Sequence, residues 1–248
     1  MRIILIGHGK MGKELERAAQ LQNHSIVHVI DSSNTSDINR LKLYEADVAI
    51  EFSTPATAIT NIYKCFESNL PVVVGTTGWY EHIPEIKATC EKEQRSMIYA
   101  SNFSIGVNIL FELNRKLAGI MNKQKSYEIS IEEIHHTQKK DSPSGTALTL
   151  AKDILELVER KKGWIELDPD GGENNHNHTN DLKIHSMRLA NVVGTHIIRY
   201  VSEADQLELR HEAFSREGFV QGALVAAAWI AEKKGFYTMQ DLLQSDSK

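Results

Sequence analysis

Between Glu133 and Ala147 the chain reads Glu-Ile-His-His-Thr-Gln-Lys-Lys-Asp-Ser-Pro-Ser-Gly-Thr-Ala, two imidazoles and two ammonium groups followed by a helix start. Imidazole titrates near neutral pH, which suits His135 to general acid work; Lys139, four residues later, supplies a fixed positive charge or a second proton donor. His135 and His136 close an alternating run, Tyr127 to Ile134, that reads as a strand. Extended geometry sends their side chains to opposite sides, so only one serves easily in proton transfer. Pro143 fits the first turn of a following helix, whose apolar spacing runs from Ala147 to Arg160, with Ser142 or Ser144 as its cap. The backbone N–H groups of Gly145 and Thr146 then point outward with the positive helix end behind them, ready for a carboxylate. Such chemistry fits a small dianionic substrate. A solvated loop with two surface histidines would leave the convergence of His, Lys and helix start unexplained.

A second group of residues lies at the start of the chain, where the apolar run Ile3 to Ile6 leads into Gly7-His8-Gly9-Lys10-Met11-Gly12, a G-x-G-x-x-G motif. Met11, Leu15, Ala18, Ala19 and Leu21 then recur at helical spacing. Strand, tight turn and helix are the context in which such a motif binds a dinucleotide. Gly7 allows the turn, Gly9 lets the backbone approach a pyrophosphate, and Gly12 lets the helix pack on its strand. A second run, Ile26 to Ile30, ends in Asp31, about 20 residues past the glycines, where a carboxylate binds a ribose 2′-hydroxyl.

The elements that must position these groups follow from hydrophobic patterning. Runs at Asp47–Phe52, Leu70–Val74 and Ser96–Ala100 read as strands, and Ala56 to Glu67 and His82 to Gln94 as helices between them, so a parallel sheet covered by helices is predicted. In such sheets ligands bind beyond the carboxyl ends of the strands. Phe52-Ser53-Thr54-Pro55, Gly75-Thr76-Thr77-Gly78 and Ser101-Asn102-Phe103-Ser104 would all open onto that edge. From Phe103 the texture changes: a helix from Ile105 to Met121, the strand before His135, and three runs at Lys183–Leu189, Val192–Val201 and Gln206–His211 predict an α+β unit with a mixed or mostly antiparallel sheet. A last helix, Arg216 to Lys234, stopped by Gly235, is apolar enough to return to the first domain. The division expected is residues 1–102 with 216–248 as a Rossmann-type dinucleotide-binding domain, and 103–215 as a second domain of different construction that carries the His-Lys segment.

With 248 residues, 41% hydrophobic and 25% charged, the composition is that of a globular protein. A net charge of −5 gives no general attraction to nucleic acid or anionic membrane, so neither is expected as a partner. The sequence opens directly on a strand, with no secretory signal pattern, and a cytoplasmic location is the simplest expectation. Cys65 and Cys90 lack metal or redox spacing and read as packing residues. His176 and His178, in a long polar stretch without cysteine or patterned carboxylates, read as loop residues, and no metal site is expected.

The Glu133–Ala147 segment, with Gly75-Thr76-Thr77-Gly78, with Ala100-Ser101-Asn102-Phe103-Ser104-Ile105-Gly106-Val107-Asn108 and with the helix from Phe219 to Trp229, resembles the 4-hydroxy-tetrahydrodipicolinate reductases, also called dihydrodipicolinate reductases, over nearly the whole chain. The resemblance implies reduction of a cyclic dicarboxylate by NADH or NADPH in lysine and diaminopimelate synthesis, in a homotetramer built through the second domain's sheet. It maps proton transfer onto His135 and Lys139, and contacts to substrate carboxylates onto His136, Lys139, Gly145 and Thr146. Cofactor contacts map onto Gly7, His8, Gly9, Lys10, Met11, Gly12, Asp31, Gly75, Thr76, Thr77, Ala100, Ser101, Asn102 and Phe103. Two departures stand out. The first glycine turn is one residue shorter than the family's, with Lys10 in place of an arginine, and Arg188-Leu189-Ala190 and Gly194-Thr195-His196 replace a more glycine-rich and acidic pattern. Asp31 is followed by Ser32 and Ser33, not by a basic residue, which favours a free 2′-hydroxyl and hence NADH, while Lys10 leaves NADPH open. The rival readings are another two-domain dehydrogenase of aspartate or homoserine type, which predicts no His-His-Lys cluster, and a catalytically silent dinucleotide sensor, which would not require His135 and Lys139.

Overall fold

The computed structural model describes residues 1–167 and 180–245. His176 and His178 lie outside the described residues. In chain order the elements are β1 (Arg2–Ile6), α1 (Lys10–Leu21), β2 (Ser25–Ile30), β3 (Val48–Glu51), α2 (Pro55–Glu67), β4 (Val72–Val74), α3 (Ile83–Lys92), β5 (Ser96–Tyr99), α4 (Ile105–Met121), β6 (Glu128–His135), α5 (Gly145–Leu157), β7 (Gly163–Leu167), β8 (Asp181–Arg188), β9 (Gly194–Val201), β10 (Gln206–Ala213), α6 (Glu217–Ile230), β11 (Gly235–Thr238) and α7 (Met239–Ser245). Two compact units result, Met1–Ile105 with Glu217–Lys248, and Gly106–Arg216.

In the first unit six strands lie in the order β11-β5-β4-β3-β1-β2, and every neighbouring pair is parallel. Strand alternation divides its core in two. Ile3, Leu5, Val48, Ile50, Val73 and Ile98 pack with α1, α6 and α7 on one face, whereas Ile4, Ile6, Ala49, Val72, Val74 and Met97 pack with α2 and α3 on the other. A sheet buried on both faces explains why its strands read as continuous apolar runs. Cys65 and Cys90 are free and buried in α2 and α3, where burial raises both thiols, Cys90 to about 11.

Two expectations need correction here. Leu21, at the end of α1, is 74% exposed, because the helix turns its buried stripe, Gly12, Leu15 and Ala19, away from it. Gly235 does not stop the last helix: α6 ends at Ile230, and Gly235, at φ +131°, opens β11, a sixth strand paired with β5. Four residues, Gly235-Phe-Tyr-Thr, are too few for a period to declare itself.

The second unit is built on a five-stranded sheet in the order β10-β9-β6-β8-β7. It is mixed, not mostly antiparallel: β9 runs antiparallel to β6 and β10, while β8 runs parallel to β6 and β7. β7 precedes the run at Lys183 and is the strand the apolar pattern did not reveal. Ile129, Ile131, Leu182, Ile184, Ile198 and Tyr200 project from one face onto Leu110, Ala118 and Met121 of α4 and Ala147, Leu150, Ala151 and Ile154 of α5. Buried Asn114 ties the helices by donating to the Leu150 carbonyl at 3.2 Å. Among the described residues, no helix is long and apolar enough to cross a membrane.

Candidate functional site

Two constellations are built, one in each unit. In the first, the strand order puts β2 and β3 on opposite sides of β1, so the connections leaving β1 and β3 part at their carboxyl ends and open a crevice. A cleft of about 600 Å³ lies there, with Gly7, His8, Gly9 and Asp31 in its wall. Gly7 has φ +97°, and a Cβ on it would lie 2.1 Å from the Phe52 carbonyl oxygen. A Cβ on Gly12 would sit 2.2 Å from the Gly7 oxygen, whereas one on Gly9 would meet nothing within 4 Å. Gly7 thus makes the turn, Gly12 lets α1 close on it, and Gly9, the residue before α1, leaves an open approach to the helix N-terminus.

Asp31 follows β2, and its Oδ1 accepts from the Ser33 N–H at 2.7 Å and the Ser33 hydroxyl at 2.6 Å. These bonds hold its carboxyl below the usual range. Both fall on Oδ1. His8 is tied to Glu16, Nε2 to Oε2 at 2.7 Å. Lys10, Met11 and Gly12 form the first turn of α1 and are not in the cleft wall.

Gly75 to Thr77 and Ala100 to Phe103 follow β4 and β5 and do not line this cleft. Gly75 makes room for the Phe52 ring, which a Cβ would meet at 2.2 Å. Thr76 accepts from the Ser53 N–H at 2.8 Å through its hydroxyl. Thr77 and Ser101 are exposed, Ala100 and Asn102 half-buried. The Phe103 side chain is core, and its carbonyl is packed so closely on α6 that Gly222 could carry no Cβ. Glu51, unremarked in the sequence, is fully buried at the end of β3 and binds Ser53 and Asn61. Burial raises its carboxyl, an effect that bonds from Ser53, Thr76 and Asn61 partly offset.

In the second unit the apolar face of the sheet turns polar at the carboxyl end of β6. Alternation places Glu133 and His135 on the same buried face as Ile129 and Ile131. Register then sets Ser186 of β8 and His196 of β9 beside Glu133, and Arg188 of β8 beside His135. His135 Nδ1 lies 2.9 Å from Glu133 Oε2, close enough for the carboxylate to act on that ring nitrogen, though without the alignment of a full hydrogen bond. Glu133 Oε1 accepts from Arg188 Nη2 at 3.0 Å and from the Ser144 N–H at 3.2 Å. Although burial alone would raise Glu133, these neighbours, with His135, hold it down to about 2. His196 stacks edge-on against His135, centroids 5.0 Å apart, and its Nε2 lies 3.2 Å from the Ser144 hydroxyl. Burial first, then the His135 charge, lowers His196 to about 3, so it is neutral near pH 7.

Ser144 is the cap of α5, its hydroxyl accepting from the Ala147 N–H at 3.2 Å. Pro143 stands before the cap, not in the first turn, after a cis peptide bond. Because Ser144 also touches Glu133 and His196, the N-terminal end of α5, where Gly145 and Thr146 stand, is docked beside the buried cluster. His136 is half-buried in the loop beyond β6. Lys139 donates to both Asp141 oxygens at 2.8 Å. The structure therefore gathers His135, the cap of α5 and Gly145 around Glu133, with Lys139 carried by the loop that Arg188 anchors at Asp141 and Ser142. Sequence reasoning did not single out Glu133, Arg188 and His196 as members of this cluster. The i, i+2 spacing of Glu133 and His135 was the one local signal for them.

Residues 1–103 match the family model described as dihydrodipicolinate reductase, N-terminus, and residues 106–243 the one described as dihydrodipicolinate reductase, C-terminus. The chain is 46% identical over 244 residues to a 4-hydroxy-tetrahydrodipicolinate reductase of Christiangramia forsetii, covering 98% of each chain. It is 33% identical over 257 residues to one of Methanoregula boonei, covering 98% of this chain and 97% of that one. A solved structure, dipicolinate-bound dihydrodipicolinate reductase from Paenisporosarcina sp. TG-14, is similar with a TM-score of 0.80 at 25% identity, over 97% of this chain and 99% of that chain.

Proposed function

The chain belongs to the dihydrodipicolinate reductase family, and from that premise we propose that it is the NAD(P)H-dependent oxidoreductase that converts 4-hydroxy-tetrahydrodipicolinate to tetrahydrodipicolinate in lysine and diaminopimelate synthesis. A hydride and a proton enter; water and oxidised nicotinamide leave. The observation that carries this reading is the 46% identity across the whole chain to a reductase of that name. The buried Glu133–His135 contact beside the cap of α5 is the chemistry such a reaction needs.

The first unit is the dinucleotide-binding domain and the second the substrate domain. Gly7 to Gly12 fit a dinucleotide, because the turn is made by Gly7 and the approach to α1 is open at Gly9. When bound, the nicotinamide supplies the hydride. Gly75 to Thr77 and Ala100 to Phe103 belong to the same cofactor edge, beyond the parallel ends of β4 and β5. Asp31 favours NADH: with Oδ1 held by Ser33, Oδ2 is the atom to accept a ribose hydroxyl, and an ionised carboxylate repels a 2′-phosphate.

His135 or Lys139 delivers the proton. His136, Lys139 and the first-turn N–H groups of Gly145 and Thr146 neutralise the two ring carboxylates. One substrate carboxylate takes over the Lys139 ammonium from Asp141. Tetramers form through the sheet face away from α4 and α5, where Ser130, Glu132 and Ile134 are half-buried.

The test is oxidation of NADH and NADPH with freshly generated 4-hydroxy-tetrahydrodipicolinate. Turnover with both cofactors and a higher kcat/KM with NADH is expected. No oxidation above a buffer control would sink the enzymatic reading, and a higher kcat/KM with NADPH the role given to Asp31.

A further inference from the structure

The buried charges behind His135 are not explained by packing. Glu133 is fully buried at the level where the apolar face of the sheet ends, and a carboxylate there is tolerated only because it is paired. One oxygen, Oε2, faces His135 Nδ1 at 2.9 Å. The other, Oε1, is held by Arg188 and by the Ser144 N–H. Arg188 Nη2 also donates to the Asp141 carbonyl at 2.8 Å and the Ser142 hydroxyl at 3.1 Å, and its Nη1 to the Met187 carbonyl at 2.8 Å. One guanidinium thus joins the end of β8, the carboxylate on β6 and the loop that carries Lys139.

On the far side of the imidazole, Nε2 makes no hydrogen bond among the described residues. A Cβ at position 194 would stand 3.1 Å from His135 Nε2, so Gly194 is the residue of β9 that leaves this nitrogen room. His196, the other ring against His135, is neutral and adds no charge of its own. Glu133, His135 and His196 have ligand atoms within 4.8 Å of one another. A cation there would have to displace or face Arg188, which already neutralises Glu133, so the cluster reads as a proton-ordering device and not as a metal site.

We propose that Glu133 and Arg188 are a positioning pair: Glu133 fixes the His135 proton on Nδ1 and so assigns proton transfer to Nε2, and Arg188 locks Glu133 and the Lys139 loop in one arrangement. Physically, an ionised carboxylate beside one ring nitrogen stabilises the tautomer with hydrogen on that nitrogen and also stabilises the imidazolium. The inference rests on His135 being the proton-transfer residue. Arg188 acts through donor geometry as well as charge, since Glu133 on β6 and the Asp141–Ser142 loop both accept from its Nη2.

The deciding measurement is an imidazole ¹⁵N correlation spectrum of the full-length protein labelled on histidine, with His135 assigned by the signal lost in His135→Ala. The unaltered protein is expected to give the Nδ1–H pattern for His135, and an Nε2–H pattern overturns the proposal whatever the variants do. In Glu133→Gln the Nδ1–H preference is expected to be lost and kcat to fall by about 10-fold or more with KM within about 2-fold. A folded Glu133→Gln enzyme with wild-type kcat and tautomer refutes the pair. Arg188→Lys is expected to raise KM, because charge is kept but the fork to Asp141 and Ser142 is lost; an unchanged KM removes Arg188 from the pair. If His135→Ala keeps full kcat while the Nδ1–H pattern is present, the functional reading of His135 fails and the tautomer assignment stands.

Discussion

His135 and Lys139 differ in what surrounds them, and that difference sets what each is expected to do. His135 is 8% exposed and faces a buried carboxylate, whereas Lys139 sits in a loop with its ammonium on Asp141. His135→Ala is expected to lower kcat by about 10²-fold to 10⁴-fold if the imidazole is the general acid, measured in the steady state with saturating NADH. An unchanged kcat would transfer that role to Lys139 or water. Lys139→Ala is expected to raise KM as well, and an unaltered KM would argue against its hold on a carboxylate. These residues were legible in the sequence because they lie four positions apart beside a helix start. Arg188 and His196 were not, because they come beside Glu133 and His135 through register on β8 and β9, more than fifty residues along the chain.

Among the elements, α5 shows how local chemistry is read correctly in kind and misread in placement. A Ser-Pro-Ser-Gly-Thr run announces a helix start, but it left Ser142 and Ser144 as equal candidates and put Pro143 in the first turn. In the fold only Ser144 reaches Ala147, and it also spans Glu133 and His196. Ser144→Ala is expected to cost about 0.5–2 kcal/mol of stability from the lost cap and to raise KM, read from denaturant unfolding and steady-state kinetics. A stability loss with KM unaltered would separate the cap from the binding of a carboxylate. The glycine turn was read more fully, since positive φ at Gly7 and the tight approach at Gly12 are demands that only glycine meets. β7 and β11 escaped notice because short strands carry too little pattern to stand out from a loop.

For the whole molecule, the chain leaves the first unit near Ile105 and comes back to it at Glu217, so one core is made from both ends of the sequence. That return was foreseeable from the apolar density of the Phe219–Ile230 stretch, whose Val220, Ala223, Leu224 and Ala227 close the face shared with α1. A solution mass about four times the 27.9 kDa chain is expected from light scattering, and a monomer's mass would remove the sheet of the second unit as an assembly surface. What the sequence determined by itself was local: the glycine turn, the acid at Asp31, the imidazole and ammonium four positions apart at His135 and Lys139, and the alternation of strand and helix, all of which depend on spacing within one or two elements. The tertiary structure decided which distant groups meet. Sheet order set β8 and β9 against β6, buried a carboxylate behind His135 and brought in Arg188 to neutralise it, because pairing between strands is fixed by the register of the folded sheet and leaves no trace in the spacing of either strand alone.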